Sequence, residues 1–144
     1  MALDEKDFAI LDALKEDAGV SLTVLSRKTG IPPATLHYRL RFLRKEKIIV
    51  RETVDLDYKK IGRGIKAFIL IEAADAASGG KDLPKMVEVL KRIPGVEEAD
   101  SVTGTVDVLV KARASSIDQL SEMILKKIRL VPGVARVNTM LSLA

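Results

Sequence analysis

The sequence predicts an α+β chain: an N-terminal winged helix-turn-helix, then a C-terminal ferredoxin-like βαββαβ, an antiparallel sheet with helices on one face. Three observations carry this. A basic amphipathic segment follows two shorter helical patterns in the first third of the chain. A Pro-Gly-Val motif recurs in the second half, and helix-like and strand-like periodicities alternate around it.

The first half contributes three helices. Asp4 is placed to cap a helix with apolar positions Phe8, Ile10, Leu11 and Leu14 and acids near its start. Ser21 opens a second, short helix with Leu22, Leu25 and Val24 as inward candidates, and Thr29-Gly30 stops it. Ile31-Pro32-Pro33 starts the third, since proline's fixed φ suits a first helical turn. Its Leu36, Leu40 and Leu43 fall on one stripe. The opposite face then presents Ala34, Tyr38, Arg41 and Lys45, flanked by Thr35, His37, Phe42 and Arg44. Ile48-Ile49-Val50, Thr53-Val54 and Leu56 alternate as a short hairpin, a wing bearing Arg51.

Charge follows the same division. The 144 residues carry 24 basic and 20 acidic side chains, a net of +4. Residues 1–17 hold six acids against Lys6 and Lys15, a net of −4, while residues 37–51 hold six bases against Glu46, a net of +5. A helix-turn-helix with a basic, hydrogen-bonding outer face fits the major groove of duplex DNA. The expected DNA-binding set is Arg27, Lys28, Ala34, Thr35, His37, Tyr38, Arg39, Arg41, Arg44, Lys45 and Arg51. Arg41 is the candidate for a bidentate guanine contact, and the bases nearer the helix end suit phosphates. Tyr38 and Phe42 have a competing reading as packing residues.

In the second half, Arg92-Ile93-Pro94-Gly95-Val96 recurs as Leu130-Val131-Pro132-Gly133-Val134, 38 residues on. An amphipathic helix precedes each copy. One starts near Asp82, with Leu83, Met86, Val87, Leu90 and Ile93. The other starts at Ser115 or Ser116 with a Ser116…Gln119 capping box, and shows Ile117, Leu120, Ile124 and Ile128. Strand-like runs stand before each helix (Ile65–Ala73, Thr105–Arg113) and after each Pro-Gly-Val. Ala74–Lys81 reads as a mobile small-residue loop. The strands are apolar on both sides in mid-run: Phe68 and Leu70 back Ile65, Ala67, Ile69 and Ile71, and Leu109 backs Val106, Val108 and Val110. A sheet covered on one face alternates cleanly, so a second copy of the chain is expected on the other face.

Composition narrows the function further. The absence of cysteine excludes disulfides, thiolate catalysis and cysteine-ligated metals, and a single histidine leaves no His-rich metal site. Five aromatic residues are too few for a single-strand stacking platform. No apolar run approaches the roughly 18 residues of a membrane span, and MALDEKDFAI lacks an export signal, which points to a soluble, cytoplasmic protein. An enzyme is not expected. Arg113, Ser115 and Asp118 read as a strand end and a helix cap rather than a reactive cluster.

The whole chain resembles the leucine-responsive regulator/AsnC family of transcription regulators. The matching pieces are Leu3-Asp4…Asp7…Ile10-Leu11…Leu14, Gly30-Ile31…Leu36-x-x-Arg39-Leu40-x-x-Leu43, Ile48-Ile49 and Leu56-Asp57…Ile61-Gly62. Thr103-Gly104-Thr105-Val106-Asp107 and Pro132-Gly133-Val134…Thr139 continue the match. The resemblance implies a DNA-binding domain over residues 1–50, a wing and linker over 51–64 and an oligomerisation and effector-binding domain over 65–144. It implies a homodimer that builds octamers or other multimers. It also implies an amino-acid effector bound between dimers at Thr103, Gly104, Thr105, Asp107 and Thr139, with no other cofactor. On residues alone the 103–107 loop also reads as an ordinary hairpin, with Asp107 satisfying backbone amides. Three departures stand out: Pro32 where the family has a serine cap, Lys47 where it has glycine, and TGTVD without the polar or aromatic residues usual in the loop. The alternative within this fold is an architectural DNA-compacting protein with little sequence preference or no effector.

Overall fold

The computed structural model describes residues 2–74 and 82–143; the loop expected over Ala74–Lys81 lies, beyond Ala74, outside them. The chain divides into two compact units, Met1–Asp55 and Leu56–Ala144, so the expected 51–64 wing and linker is split between them.

The first unit holds α1 (Glu5–Glu16), α2 (Leu22–Thr29) and α3 (Pro33–Lys45). Each begins where its cap residue lies. Asp4 accepts from the Lys6 and Asp7 amides, and the Asp7 carboxylate accepts in return from the Asp4 amide, a reciprocal capping box. Ser21 accepts from the Val24 amide to start α2. Pro32 gives α3 no side-chain cap, and Pro33, which has no N–H to satisfy, takes the first helical position instead. Ile10, Ala13, Leu25, Ile31, Leu36, Leu40 and Leu43 form the core, with Leu3, Leu11, Leu14, Leu22 and Phe42 packed around it. Phe42 is therefore a packing residue. Val24 faces solvent rather than the core.

The hairpin expected over 48–56 does not form. Residues 50–57 carry no strand ladder, and Arg44 holds the segment through Glu52 at 2.7 Å. Between the two apolar runs stands Arg51-Glu52, with no glycine, asparagine or proline to make the turn a hairpin needs. Alternating hydrophobicity alone did not suffice.

The second unit holds β1 (Ile65–Ala73), α4 (Leu83–Lys91), β2 (Val96–Ser101), β3 (Val108–Ala114), α5 (Ile117–Lys126) and β4 (Val134–Leu141), with a 3-10 turn over Ile128–Leu130. The four strands form one antiparallel sheet in the order β2-β3-β1-β4. β3 begins three residues later than its apolar run, because Thr105–Asp107 belong to the loop. The Ser116…Gln119 box forms only in half. Ser116 accepts from the Gln119 amide, but Gln119 reaches back to the Ser115 amide (2.6 Å) and hydroxyl (2.9 Å).

The repeated Pro-Gly-Val has a packing reason. Both glycines have positive φ, +96° at Gly95 and +89° at Gly133. A Cβ on Gly95 would collide with the Met123 methyl on α5 and come within 2.9 Å of the Arg113 carbonyl; one on Gly133 would meet the Met86 methyl on α4 at 2.9 Å. Each turn is thus pressed under a methionine of the other helix; at Gly95 the backbone carbonyl of Arg113 also blocks a Cβ, and at both positions the positive φ favours glycine.

Candidate nucleic-acid interface and effector loop

The turn between α2 and α3 is fixed by its own side chains. Gly30 caps α2 in the left-handed conformation, the Thr29 hydroxyl donates to the Leu25 carbonyl, and the Ser26 hydroxyl donates to the Ile31 carbonyl at 2.7 Å. Buried Leu36, Leu40 and Leu43 then set the rotation of α3. Ala34, His37, Tyr38, Arg41, Arg44 and Lys45 are left exposed and Thr35 half-exposed, with Tyr38 58% accessible.

The cations are not equivalent. Lys28 pairs with Glu16 at 3.3 Å and Arg44 with Glu52, whereas Arg27, Arg41, Lys45 and Arg51 have no hydrogen-bond or ion-pair partner among the described residues.

Arg39 stands apart from the expected DNA-binding set. Its guanidinium turns inward to Asp4 (2.6 and 2.8 Å) and to Asp7 (2.9 Å), and Asp7 is fully buried. The Arg39 hydrogen bond holds the Asp4 carboxyl below its ordinary value, and the two carboxylates raise the guanidinium above its own. Arg39 therefore joins the capping box of α1 to the middle of α3 and is not free for phosphate. Asp4 alone signals the cap; nothing in the local pattern shows that Asp4 and Asp7 also receive a guanidinium from 35 and 32 residues away.

In the second unit, Thr103, Gly104 and Thr105 are exposed at the turn between β2 and β3, and Gly104 has φ +135°. Asp107 closes the turn. Its carboxylate accepts from the Ala73 amide at 2.8 Å, its own amide donates to the Ile71 carbonyl, and its carbonyl accepts from the Val102 amide. These bonds fit the reading in which Asp107 satisfies backbone amides. Thr139 lies on β4 opposite Ile69, four residues along β1 from Ala73, or about 13 Å. Within one chain the structure gathers Thr103, Gly104, Thr105 and Asp107 but leaves Thr139 away from them.

Comparison with known proteins agrees with this division. A winged helix-turn-helix DNA-binding model matches residues 3–50, and a Lrp/AsnC ligand binding domain model matches residues 66–144. An HTH-type transcriptional regulator of Pyrococcus horikoshii is 39% identical over 140 residues, covering 97% of this chain and 92% of the relative. The structure of Escherichia coli AsnC superposes with a TM-score of 0.82 at 28% identity, covering 100% of this chain and 94% of that one. A feast or famine regulatory protein of Mycobacterium tuberculosis, complexed with L-methionine, superposes with a TM-score of 0.86 at 25% identity, covering 99% and 93%. No helix among the described residues is long and apolar enough to cross a membrane. With the ligand-binding model alone spanning more than half of its length, the chain belongs to the Lrp/AsnC family of transcription regulators.

Proposed function

We propose that this protein is a sequence-specific, double-stranded DNA-binding transcription regulator of the cytoplasm, without enzymatic activity, that works as a homodimer or a multimer of dimers. The observation that carries this reading is the exposed face of α3. Tyr38, His37, Ala34 and Thr35 offer contacts to base edges beside the uncommitted Arg41 and Lys45. Arg27, Lys28, Arg44 and Arg51 serve the phosphates, and Arg39 orients the helix without touching DNA.

Dimerisation is supported by the sheet's open face. Phe68 sits between Lys111 and the half-exposed Met140, and Leu70 between Leu109 and Asn138, an apolar centre on the side away from the helices. An amino acid is the proposed effector, at Thr103, Gly104, Thr105 and Asp107, with Thr139 supplied by the assembly; the relative that carries L-methionine supports this chemistry. The octamer is the proposed larger form.

Binding to selected and scrambled duplexes between 50 and 200 mM salt tests the reading, with affinity expected to fall steeply as phosphate contacts are screened. Arg41→Ala should cost about 1–3 kcal/mol on the selected site and less on scrambled DNA. Equal losses on both would make Arg41 a phosphate contact and favour the architectural alternative. Light scattering that gave a 15.7 kDa monomer at micromolar concentration would remove the dimer.

A further inference from the structure

The segment entering β1 is folded onto the sheet rather than hanging free. The Lys60 amide donates to the Asp57 carboxylate, the Gly62 amide to the Lys59 carbonyl, and the Arg63 amide to the Tyr58 carbonyl at 2.8 Å. The Tyr58 ring lies against Arg113, with the guanidinium carbon 3.9 Å from its centroid. Glu97 accepts from the Tyr58 hydroxyl, which pushes that phenol above its ordinary pKa, and it also accepts from Arg113 Nε at 3.2 Å. These contacts bring Arg63 to the end of β3.

There, Arg63, Gly95, Arg113, Gln119, Glu122 and Lys127 line a cleft of about 360 Å3, in the size range of small-molecule sites. Its chemistry is lopsided. Glu122 is its one acid, and that carboxylate is already engaged by Lys126 at 3.0 Å and further lowered in pKa by the charge of Lys127. Gln119 spends its carbonyl oxygen on Ser115, which fixes the amide so that its NH2 donors are the atoms left over. The Arg63 guanidinium and the Lys127 ammonium make no hydrogen bond or ion pair with the described residues. A guanidinium, an ammonium and an amide NH2 therefore converge on one concavity without an acceptor of their own. Charge-assisted donors in this arrangement suit a carboxylate or a phosphoryl group.

We propose that this cleft is a second small-molecule site, selective for an anionic metabolite bearing a carboxylate or phosphate group, with Arg63 and Lys127 as its principal contacts. It is separate from the effector loop: Val108, the residue after Asp107, and Arg113 stand five residues apart along β3, about 16 Å. The site stands whether or not the α3 face reads DNA. Because Arg63 belongs to the segment that leads into β1, an anion bridging Arg63 and Lys127 also pins that segment to the end of α5.

Titration calorimetry on the full chain, with inorganic phosphate, glutarate and neutral methionine as probes, tests this. One saturable site per chain is expected for phosphate or for glutarate, and whichever saturates names the head group. Arg63→Ala and Lys127→Ala change exposed side chains, so circular dichroism should stay native while affinity falls tenfold or more. Arg63→Lys should stay within about threefold, and Arg129→Ala, a surface cation elsewhere, should change nothing. Two results would overturn the site. One is no saturation by about 10 mM of either anion. The other is an Arg129→Ala loss as large as that of Arg63→Ala, which marks general counter-ion association.

Discussion

The two units hold themselves together by different means. Among the described residues the reading unit has seven buried apolar residues, from Ile10 to Leu43, while the sheet unit has seventeen. The smaller core is supplemented by charge: Asp7, the buried charged residue among those described, receives Arg39 together with Asp4. Among the described residues the sheet unit buries no charge in its core and closes its turns by fit instead, as Gly95 and Gly133 show under their methionines. The part that must present a polar helix to DNA is thus itself the part that depends on polar contacts. A small core with an ionic tie should respond to pH and to single truncations more sharply than a sheet core of more than twice as many residues.

The largest effect expected from that contrast is a core truncation. Leu36→Ala removes a fully buried side chain from the seven-residue core and should cost about 2–5 kcal/mol. For a unit of this size that is a large part of the whole stability. Leu90→Ala in the sheet core should cost a similar amount but leave that unit folded. Thermal unfolding followed by circular dichroism should show the reading unit of Leu36→Ala melting first, with DNA binding lost and the association of the sheet unit kept. A single transition lowered equally by both substitutions would break the contrast, because the units would then melt as one.

How far the sequence disclosed this depended on how local each feature is. Caps at Asp4, Ser21 and Asp82, the Leu36-Leu40-Leu43 stripe, and β1 over Ile65–Ala73 are all legible, because each is written in residues three or four apart or in an unbroken apolar line at every second position. The hairpin over residues 48–56 is absent for the converse reason: the apolar alternation is present, but the turn chemistry between the runs is not. Arg39 was placed on DNA because helical position shows only which way a side chain leaves the backbone. A long guanidinium can fold back to a pair of carboxylates on another helix. The Tyr58–Arg113–Glu97 cluster joins three segments distant in sequence, and a lone tyrosine before a strand carries no signal of it.

The ionic tie provides the next effect in size. Arg39→Gln keeps a long polar side chain but removes the positive charge facing Asp4 and the buried Asp7. The melting midpoint of the reading unit should fall, while Arg41→Ala, on the exposed face, should leave it unchanged. Acid should do the same to the native chain. Because the folded-state pKa of Asp4 is lowered, its contribution is fully present above the ordinary carboxylate value near 3.9 and is lost as pH falls through the lower folded value. Between about pH 4 and pH 2 the reading unit should lose stability, and the Arg39→Gln variant should lose less over the same interval. Parallel acid profiles for the two proteins would show that the tie contributes nothing.

The smallest effect sits at the end of α3, where Lys47 has φ +54°, the one non-glycine in the left-handed region among the described residues. Its amide donates to the Arg44 carbonyl and the Ile48 amide to the Leu43 carbonyl, the pair of bonds that closes a Schellman turn around a position usually held by glycine. A side chain there costs roughly 1–2 kcal/mol, and glycine would recover it at an entropic cost of about 0.5–1 kcal/mol. Lys47→Gly should therefore stabilise the reading unit by about 0.5 kcal/mol, a rise of roughly 2–4 °C in its midpoint. The same change removes a cation that complements the helix C-terminus and lies next to Lys45. If Lys47 meets a phosphate, the salt dependence of DNA binding should flatten by about one counterion in the variant. A variant that is more stable and binds more weakly would show the turn giving up stability for charge on the reading unit. If it gains stability and binds as before, Lys47 has no part in the interface.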